Sequence, residues 1–413
     1  MLKLRPAIVT QINNAAVGVE SAVRDRPGGV GEQRLVVELA GDGARSAPRT
    51  AIADVALVGR AEVGDEVIVN VQALELGLGS GGFDVVHVNL TRGLSSDIDR
   101  GPAHPHVMKL NYTSLQHAVT PVEDEPLQLP VGRPVAVLAL HGQLAGLAWA
   151  FAQSAPGGKL GYVQTEGGAL PGGHSSTVRA LRERGLLAGY LTAGPAFGGE
   201  GEAITTAGAL HHGLRTLGWD AAVCGPGPGI IGSGSSLGHG GMVALDSAHV
   251  ALALGCPTLL VARLSAGDKR SRHRGFSHHT LTVLDMLLEP VTVALPAGMR
   301  SPVGSDLRAE LGAVFAAAKP ARKGKARPAP AAVQEHAALD RPARIARHDW
   351  RRASVDLPGY AASGLPAETM GRGLMEDPLF FSAALAGGSA LAELVEKPAI
   401  GQMEIEDALG ELA

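Results

Sequence analysis

Aromatic residues are scarce in this chain: Phe, Trp and Tyr together make up 3% of its 413 residues. A core without large rings has to be built from Val, Leu, Ala and Ile, a palette suited to parallel sheets covered by alanine-rich helices. Cysteine is nearly absent. Cys224 and Cys256 lie far apart and form no CxxC pair, which excludes a disulfide framework or a zinc ribbon. There is no excess of either charge, with 36 Lys and Arg against 40 Asp and Glu. The net charge of −4 therefore exerts no general pull toward nucleic acid or an anionic membrane. Uninterrupted apolar runs are missing too. The most apolar stretch, Met242 to Val261, is broken by Asp246, His249 and Pro257 and does not read as a membrane span. Residues Met1 to Ile12 carry neither the positive start nor the apolar segment of a signal peptide, so a bacterial cytoplasmic location is expected.

What the chain has in plenty is glycine, 56 residues, clustered at loop positions rather than repeating every third residue. With 45% apolar and 18% charged residues it is a folded protein, and its length calls for two or three domains. Residues 1–95 read as short strands: Ala7 to Val9, Leu35 to Val37, Ile52 to Val58, Val67 to Val71 and Val85 to Leu90. A small β-barrel or sandwich is the expected solution. Residues 96–131, with Asp97, Asp99, His104 and His106, form a polar connector. Over 132–318 apolar strands alternate with helices, beginning at Pro134 to Leu140 and closing at Val291 to Leu295. This is the pattern of βα units in a Rossmann-like, mainly parallel sheet, an α/β fold. Residues 319–348 are rich in Ala, Pro, Lys and Arg and read as a linker; 349–413 regain apolar spacing and predict a short helical tail.

Unusual residues sit directly after the strands of the α/β part. The loops are His141 to Gln143, Thr165 to Gly168, Phe197 to Glu200, Gly225 to Gly241 and Arg263 to Thr280. Open α/β sheets bind ligands beyond the carboxyl ends of their strands, so these loops are expected to converge on one crevice. In the loop 225–241 the glycines Gly227, Gly229, Gly232 and Gly234, with Ser233, offer backbone N–H groups and a hydroxyl to an anion. Gly227, Gly229 and Gly232 satisfy GxGxxG, but the helix is delayed to about Gly240 and the next strand ends at Arg263 rather than at an acidic residue. That disfavours a nicotinamide dehydrogenase, and the lack of a Walker lysine disfavours a P-loop NTPase. The plainer reading is that the glycines only end strands and start helices.

The loop 263–280 packs five cations, Arg263, Lys269, Arg270, Arg272 and Arg274, with three imidazoles, His273, His278 and His279. Arginines clamp phosphate oxygens, so Arg263, Arg272 and Arg274 are candidate anion ligands. Asp268, His273 and His278 are the candidate catalytic residues and, equally, candidate ligands for a divalent metal such as Zn, Mn or Mg. The spacing of His273 and His278 across Gly275 does not match the i, i+4 pair of a helical zinc motif, so a metal here would be held by a loop. A solvated basic loop is the alternative. His141, His239, Glu166, Glu200 and Glu202 are further polar residues placed near the crevice, where capping or packing explains them as well.

These motifs resemble those of a bacterial domain-of-unknown-function family. The likeness rests on ELGLGSGG (75–82), VMKLNYTSLQ (107–116), AGPAFGGEGEA (193–203), GPGPGIIGSGSSLGHGG (225–241) and RHRGFSHHT (272–280). It implies a β-rich N-terminal part and an α/β part, with no activity to transfer; His174, Pro195 and Pro226 depart from the expected pattern. Locally, His273 to His278 is similar to the HRGxTH signature of membrane-bound, presumed metal-dependent hydrolases.

The reading that follows is a hydrolase or transferase acting on a phosphorylated or nucleotide-like small molecule, metal-assisted through Asp268, His273 and His278. The alternatives are a regulator that binds a nucleotide or metabolite without chemistry, and an RNA-binding protein using the N-terminal barrel. Scarce aromatics and net acidity weigh against the last. The expected partner is a small anion or nucleotide, with no membrane, and homo-oligomers are compatible with the sequence.

Overall fold

The structure is a computed structural model that describes residues 2–13, 31–40, 47–77, 82–94, 107–297, 339 and 341–396. It divides into two compact units. The first is Met1–Val122 with the returning segments Leu170–His174 and Pro195–Glu202; the second is the remainder.

The first unit is built on a closed barrel of five strands, β1 (Leu4–Ile12), β2 (Glu32–Leu39), β3 (Arg49–Asp54), β4 (Glu66–Asn70) and β5 (Asp84–Asn89). Around the barrel the order is β1-β2-β3-β5-β4, antiparallel except for β3 with β5. Of the two shapes the sequence allowed, closure wins. Alternation puts every second residue inside, so Val9, Val37, Val67 and Val69 fill the interior with no large ring. Two one-turn helices, α1 (Val55–Val58, capped by Asp54) and α2 (Gln72–Glu75), interrupt a segment that showed no helical period. One turn is too short to leave a period. The connector is more ordered than its polar composition implied: β6 (Val107–Lys109) and β7 (His117–Val119) pair antiparallel, with Leu110 and Tyr112 of the turn at positive φ. Asp97, Asp99, His104, His106 and residues 78–81 of the ELGLGSGG motif lie outside the described residues.

The second unit carries an eight-stranded sheet. Its strands are β8 (Val135–Val137), β9 (Leu160–Thr165), β10 (Gly189–Ala193), the short β11 (Gly201–Ala203), β12 (Ala221–Pro226), β13 (Thr258–Leu260), β16 (Thr292–Pro296) and β17 (Asp349–Ala353). The order is β11-β10-β9-β12-β8-β13-β16-β17, and every registered pair from β10 to β17 is parallel. Between β13 and β16 the chain also forms the two-residue strands β14 (Leu264–Ser265) and β15 (Gly275–Phe276).

The helices are α3 (Leu144–Ser154), α4 (Ser176–Glu183), α5 (Thr206–His211), α6 (Val243–Ala253), α7 (His278–Met286), α8 (Arg341–Ala346), α9 (Leu357–Ala362) and α10 (Pro378–Glu396). Ser175, Thr205 and Ser277 cap α4, α5 and α7, each side chain accepting a backbone N–H of the first turn. Helix α5 is not continued as a regular α-helix. Instead α5 runs into a π-helical turn, His212–Thr216. Trp219 is the physical reason. Its fully buried ring fills a slot where a Cβ at Gly161, Gly189 or Gly213 would collide with it.

The expected tail helix is present as α10, and the same segment also supplies β17, which pairs along Thr292–Pro296. Helix α10 is the one described helix long and apolar enough to cross a membrane, and 83% of that stretch is buried. Its apolarity serves a packed position against α3. There the backbones approach so closely that a Cβ at Gly388 would strike the Leu147 carbonyl and lie 2.8 Å from Ala150 Cβ, while Gly146 faces Ala384. The expected linker 319–348 lies outside the described residues up to residue 338; its end is helix α8.

Gly388→Val forces these two backbones apart. It is expected to destabilise the protein by at least about 1–3 kcal/mol, read as a lower urea midpoint.

Candidate functional site

Parallel strands place their following loops on one edge of the sheet, and four of the five loops singled out in the sequence belong to this unit. The fifth, Phe197 to Glu200, groups with the first unit. All four meet at the glycine-rich loop 225–241: His141 Nδ1 faces the Pro226 carbonyl, and Gly167 and Gly168 lie against the backbone of Gly240 and Gly227. Residue His239, at the end of the glycine-rich loop, stacks on His279, with ring centroids 3.2 Å apart and planes 18° from parallel.

The loop 263–280 is an ordered excursion. It is closed at its base by Ser277 N–H donating to the Arg263 carbonyl (3.0 Å) and Arg263 N–H donating to Thr280 Oγ1 (2.9 Å). Strands β14 and β15 zip its stem. Its tip is organised by Asp268, which is 1% exposed and accepts from the guanidinium groups of Arg270 (2.9 and 3.0 Å), Arg263 (3.2 Å) and Arg372 (3.4 Å). A second buried carboxylate, Asp377, accepts from Ser265 Oγ, Ala266 N–H (2.9 Å), Gly267 N–H (3.2 Å) and Arg372 Nε (3.1 Å). Burial opposes the charge on Asp268, but the hydrogen bonds and charge of Arg270, with the charge of Arg372, outweigh it and hold its pKa well below the carboxylate range. Burial lowers the Arg263 pKa to about 10 against the pull of Asp268.

The metal set expected from sequence, Asp268, His273 and His278, is not gathered as one group of ligating atoms. Asp268 is committed to guanidinium groups, and the group that brings ligating atoms together is His273, His278 and His279, each offering one ring nitrogen within 4.8 Å of the other two. His273 Nδ1 pairs with Ser277 Oγ at 2.8 Å, so Nε2 is the nitrogen it could offer to a metal. Buried His278 Nε2 and His279 Nε2 have no hydrogen-bond partner among the described residues. Burial, helped by the positive charge of Arg263, lowers the pKa of His273 to about 3. Burial likewise lowers those of His278 and His279. His239 falls to about 4, again mainly by burial and then by its neighbours His278 and Arg263. All four rings are therefore neutral at pH 7, the form in which imidazole binds a metal.

The remaining candidates are dispersed. Gly227 is buried, and a Cβ there would collide with the Ala169 carbonyl and lie 2.7 Å from Gln164 Nε2, so it serves close approach between loops. Gly229 has φ +69°, which glycine adopts without strain. Residues 231–238 form an exposed finger closed on itself: Ser233 N–H donates to the Gly238 carbonyl (2.6 Å), and the hydroxyls of Ser233 and Ser235 pair at 2.9 Å. Gly232 bridges back to His239, and Gly234 is exposed. Arg272 and Arg274 are exposed beside the imidazoles, with Arg274 Nε donating to the Asp268 carbonyl (2.9 Å).

His141 is buried elsewhere on this edge. Its Nε2 meets Ser175 Oγ at 2.7 Å, and its Nδ1 faces the Pro226 carbonyl at 3.1 Å. Burial lowers its pKa to about 4, against the Pro226 hydrogen bond. His279 was counted with its neighbours in the sequence but left out of the ligand set. It is the cap geometry at Ser277 that turns it toward the others. Arg372 and Asp377 carried no signal at all, being about a hundred residues from the loop they hold.

A family model described as "Protein of unknown function (DUF3866)" matches residues 50–388, so the chain belongs to that family, in agreement with the likeness read from its motifs. No curated protein and no solved structure matches it.

Removing the carboxylate that three guanidinium groups share is expected to be costly. Asp268→Ala should lower the unfolding free energy by about 3 kcal/mol or more, measured by urea titration. His141 makes stability depend on pH. Its folded pKa of about 4 lies below the ordinary value of 6.5. Between those values the unfolded chain binds more protons, so stability falls as pH drops from about 6.5 toward 4 and is level above. His141→Gln should remove up to about 1.4 kcal/mol per pH unit of that slope, read from urea midpoints at a series of pH values.

Proposed function

We propose that this member of a family of unknown function is a metal-assisted hydrolase or transferase acting on a phosphorylated or nucleotide-like small molecule. The observation that carries the reading is the convergence of His273, His278 and His279, neutral and with ligating nitrogens within 4.8 Å, beside a cluster of arginines. Three imidazoles are a donor set for a divalent ion with a position left over for water or substrate. Such an ion would supply a bound water acidic enough to ionise near neutral pH, or polarise a phosphoryl oxygen.

The chain's own residues do the rest. Ser277 accepts or donates at His273 Nδ1, fixing which nitrogen faces the centre. Arg272 and Arg274 extend from the same loop as the imidazoles and match phosphate oxygens in charge and geometry. Asp268 is the positioning residue: by binding Arg263, Arg270 and Arg372 it fixes the loop and balances part of its positive charge. Attack of water or of an acceptor hydroxyl on phosphorus forms a new P–O bond and breaks the ester P–O bond; the attacking oxygen gives its proton to solvent and the leaving oxygen takes one from solvent, departing as the alcohol.

His278→Ala is expected to abolish turnover of phosphoester substrates and lower bound metal measured by elemental analysis, with a melting temperature close to wild type. A large loss of stability with unchanged metal content would mean a structural role. A saturable ligand-induced thermal shift with no product formed would favour a binding protein instead.

A further inference from the structure

We propose that this centre binds its ion and a phosphate dianion as a pair, with Arg272 and Arg274 as the anion's half of the site, so that terminal phosphomonoesters are the substrate class. The inference rests on the reading that His273, His278 and His279 hold a divalent ion.

The three imidazoles are neutral and bring no negative charge to a cation, and no carboxylate belongs to their group. Their own loop carries Arg263, Lys269, Arg270, Arg272 and Arg274, and the C-terminal segment adds Arg372. Two buried carboxylates answer these cations. Asp268 takes Arg263, Arg270 and Arg372, and Asp377 takes Arg372 again. Lys269, Arg272 and Arg274 make no ion pair among the described residues. A divalent ion would therefore join an excess of positive charge. Like charges at close range disfavour it, and an anion held between them favours both.

The two arginines are placed for that anion. His273 is buried in the turn Ser271–His273, with exposed Arg272 and Arg274 on either side of it in sequence. After burial, the charge of Arg272 is the largest influence holding His278 neutral, so it falls close to the imidazoles. Arg274 spends its Nε–H on the Asp268 carbonyl (2.9 Å), which fixes the guanidinium and leaves its terminal nitrogens to a ligand. A phosphomonoester dianion offers one oxygen to the ion and others to guanidinium forks; a diester has fewer such oxygens and less charge. An all-nitrogen donor set suits zinc, whereas magnesium and calcium take oxygen ligands.

The test uses the full-length chain, zinc and two probes. Methylphosphonate, buffered above its second ionisation, stands in for a monoester dianion that cannot be hydrolysed; dimethyl phosphate is the diester. Zinc affinity, read by competition with a coloured chelator, should rise about tenfold in methylphosphonate and stay level in dimethyl phosphate. Methylphosphonate affinity should rise by the same factor when zinc is present, because such coupling is reciprocal. The double variant Arg272→Ala/Arg274→Ala should bind zinc at least as tightly as the anion-free wild type and lose the coupling. Arg272→Ala alone, whose side chain makes no hydrogen bond among the described residues, serves if the double variant fails to fold. Lys269→Ala removes another exposed cation of the loop and should keep the coupling. Zinc bound equally with and without methylphosphonate would overturn the inference and leave the three-imidazole centre standing. Equal coupling by dimethyl phosphate would overturn the monoester class, and equal loss in Lys269→Ala would overturn the assignment to the arginine pair. A wild type that takes up no zinc under either condition would overturn the centre itself.

Discussion

A carboxylate buried among guanidinium groups sets the conditions for the whole edge of the sheet. Asp268 is 1% exposed and Arg263 3%, and neither charge is tolerable there alone. Pairing them demands a particular loop path, and the path is completed from elsewhere in the chain. Arg372 reaches both Asp268 and Asp377, and Asp377 takes the hydroxyl and two N–H groups of the 265–267 turn. The C-terminal segment therefore does two jobs in the second unit. Its strand extends the sheet, and its polar turn holds the loop from which three imidazoles project. Electrostatic satisfaction fixes the backbone first; the histidines inherit their positions from it.

The scarcity of rings shapes the packing around this edge. With few large side chains available, helices and strands come close enough for backbone to touch backbone. Gly388 and Gly146 bring α10 against α3, and three glycines make room for the fully buried ring of Trp219. The glycine-rich loop 225–241 follows the same logic in part. Gly227 and Gly240 are sites where another loop's backbone leaves no room for a side chain. Glycine in this chain is thus divided between close packing, at its buried positions, and loop freedom, at exposed ones such as Gly229 and Gly234.

That division marks what the sequence could convey. Local patterns were legible: alternating valines announced the barrel strands, and continuous apolar runs followed by helical periods announced the parallel sheet. Short or context-made elements were not. The one-turn helices, the three-residue strands β6 and β7 and the π-turn before Trp219 leave no period to detect. Among candidate site residues, the density of Arg and His in 263–280 marked the segment in which three imidazoles gather. The partition of roles within it depends on contacts about a hundred residues away, so Asp268 read as a metal ligand when its partners are Arg270 and Arg372. His239 looked like one more loop histidine, because its stacking on His279 joins two different βα units.

The same reasoning separates what holds the site from what acts in it. A buried polar group with every partner in place, such as Asp377 or His141 with Ser175 and Pro226, has spent its hydrogen-bonding capacity on the fold. His278 and His279 have not; their Nε2 atoms are buried at a cost the fold recovers nowhere within the described residues. Burial keeps them neutral rather than letting them charge, which preserves lone pairs for an electrophile. Arginines nearby reinforce that neutrality and at the same time raise the local potential for an anion. Neutral imidazoles and charged arginines stand side by side here because Asp268 absorbs part of the positive charge between them.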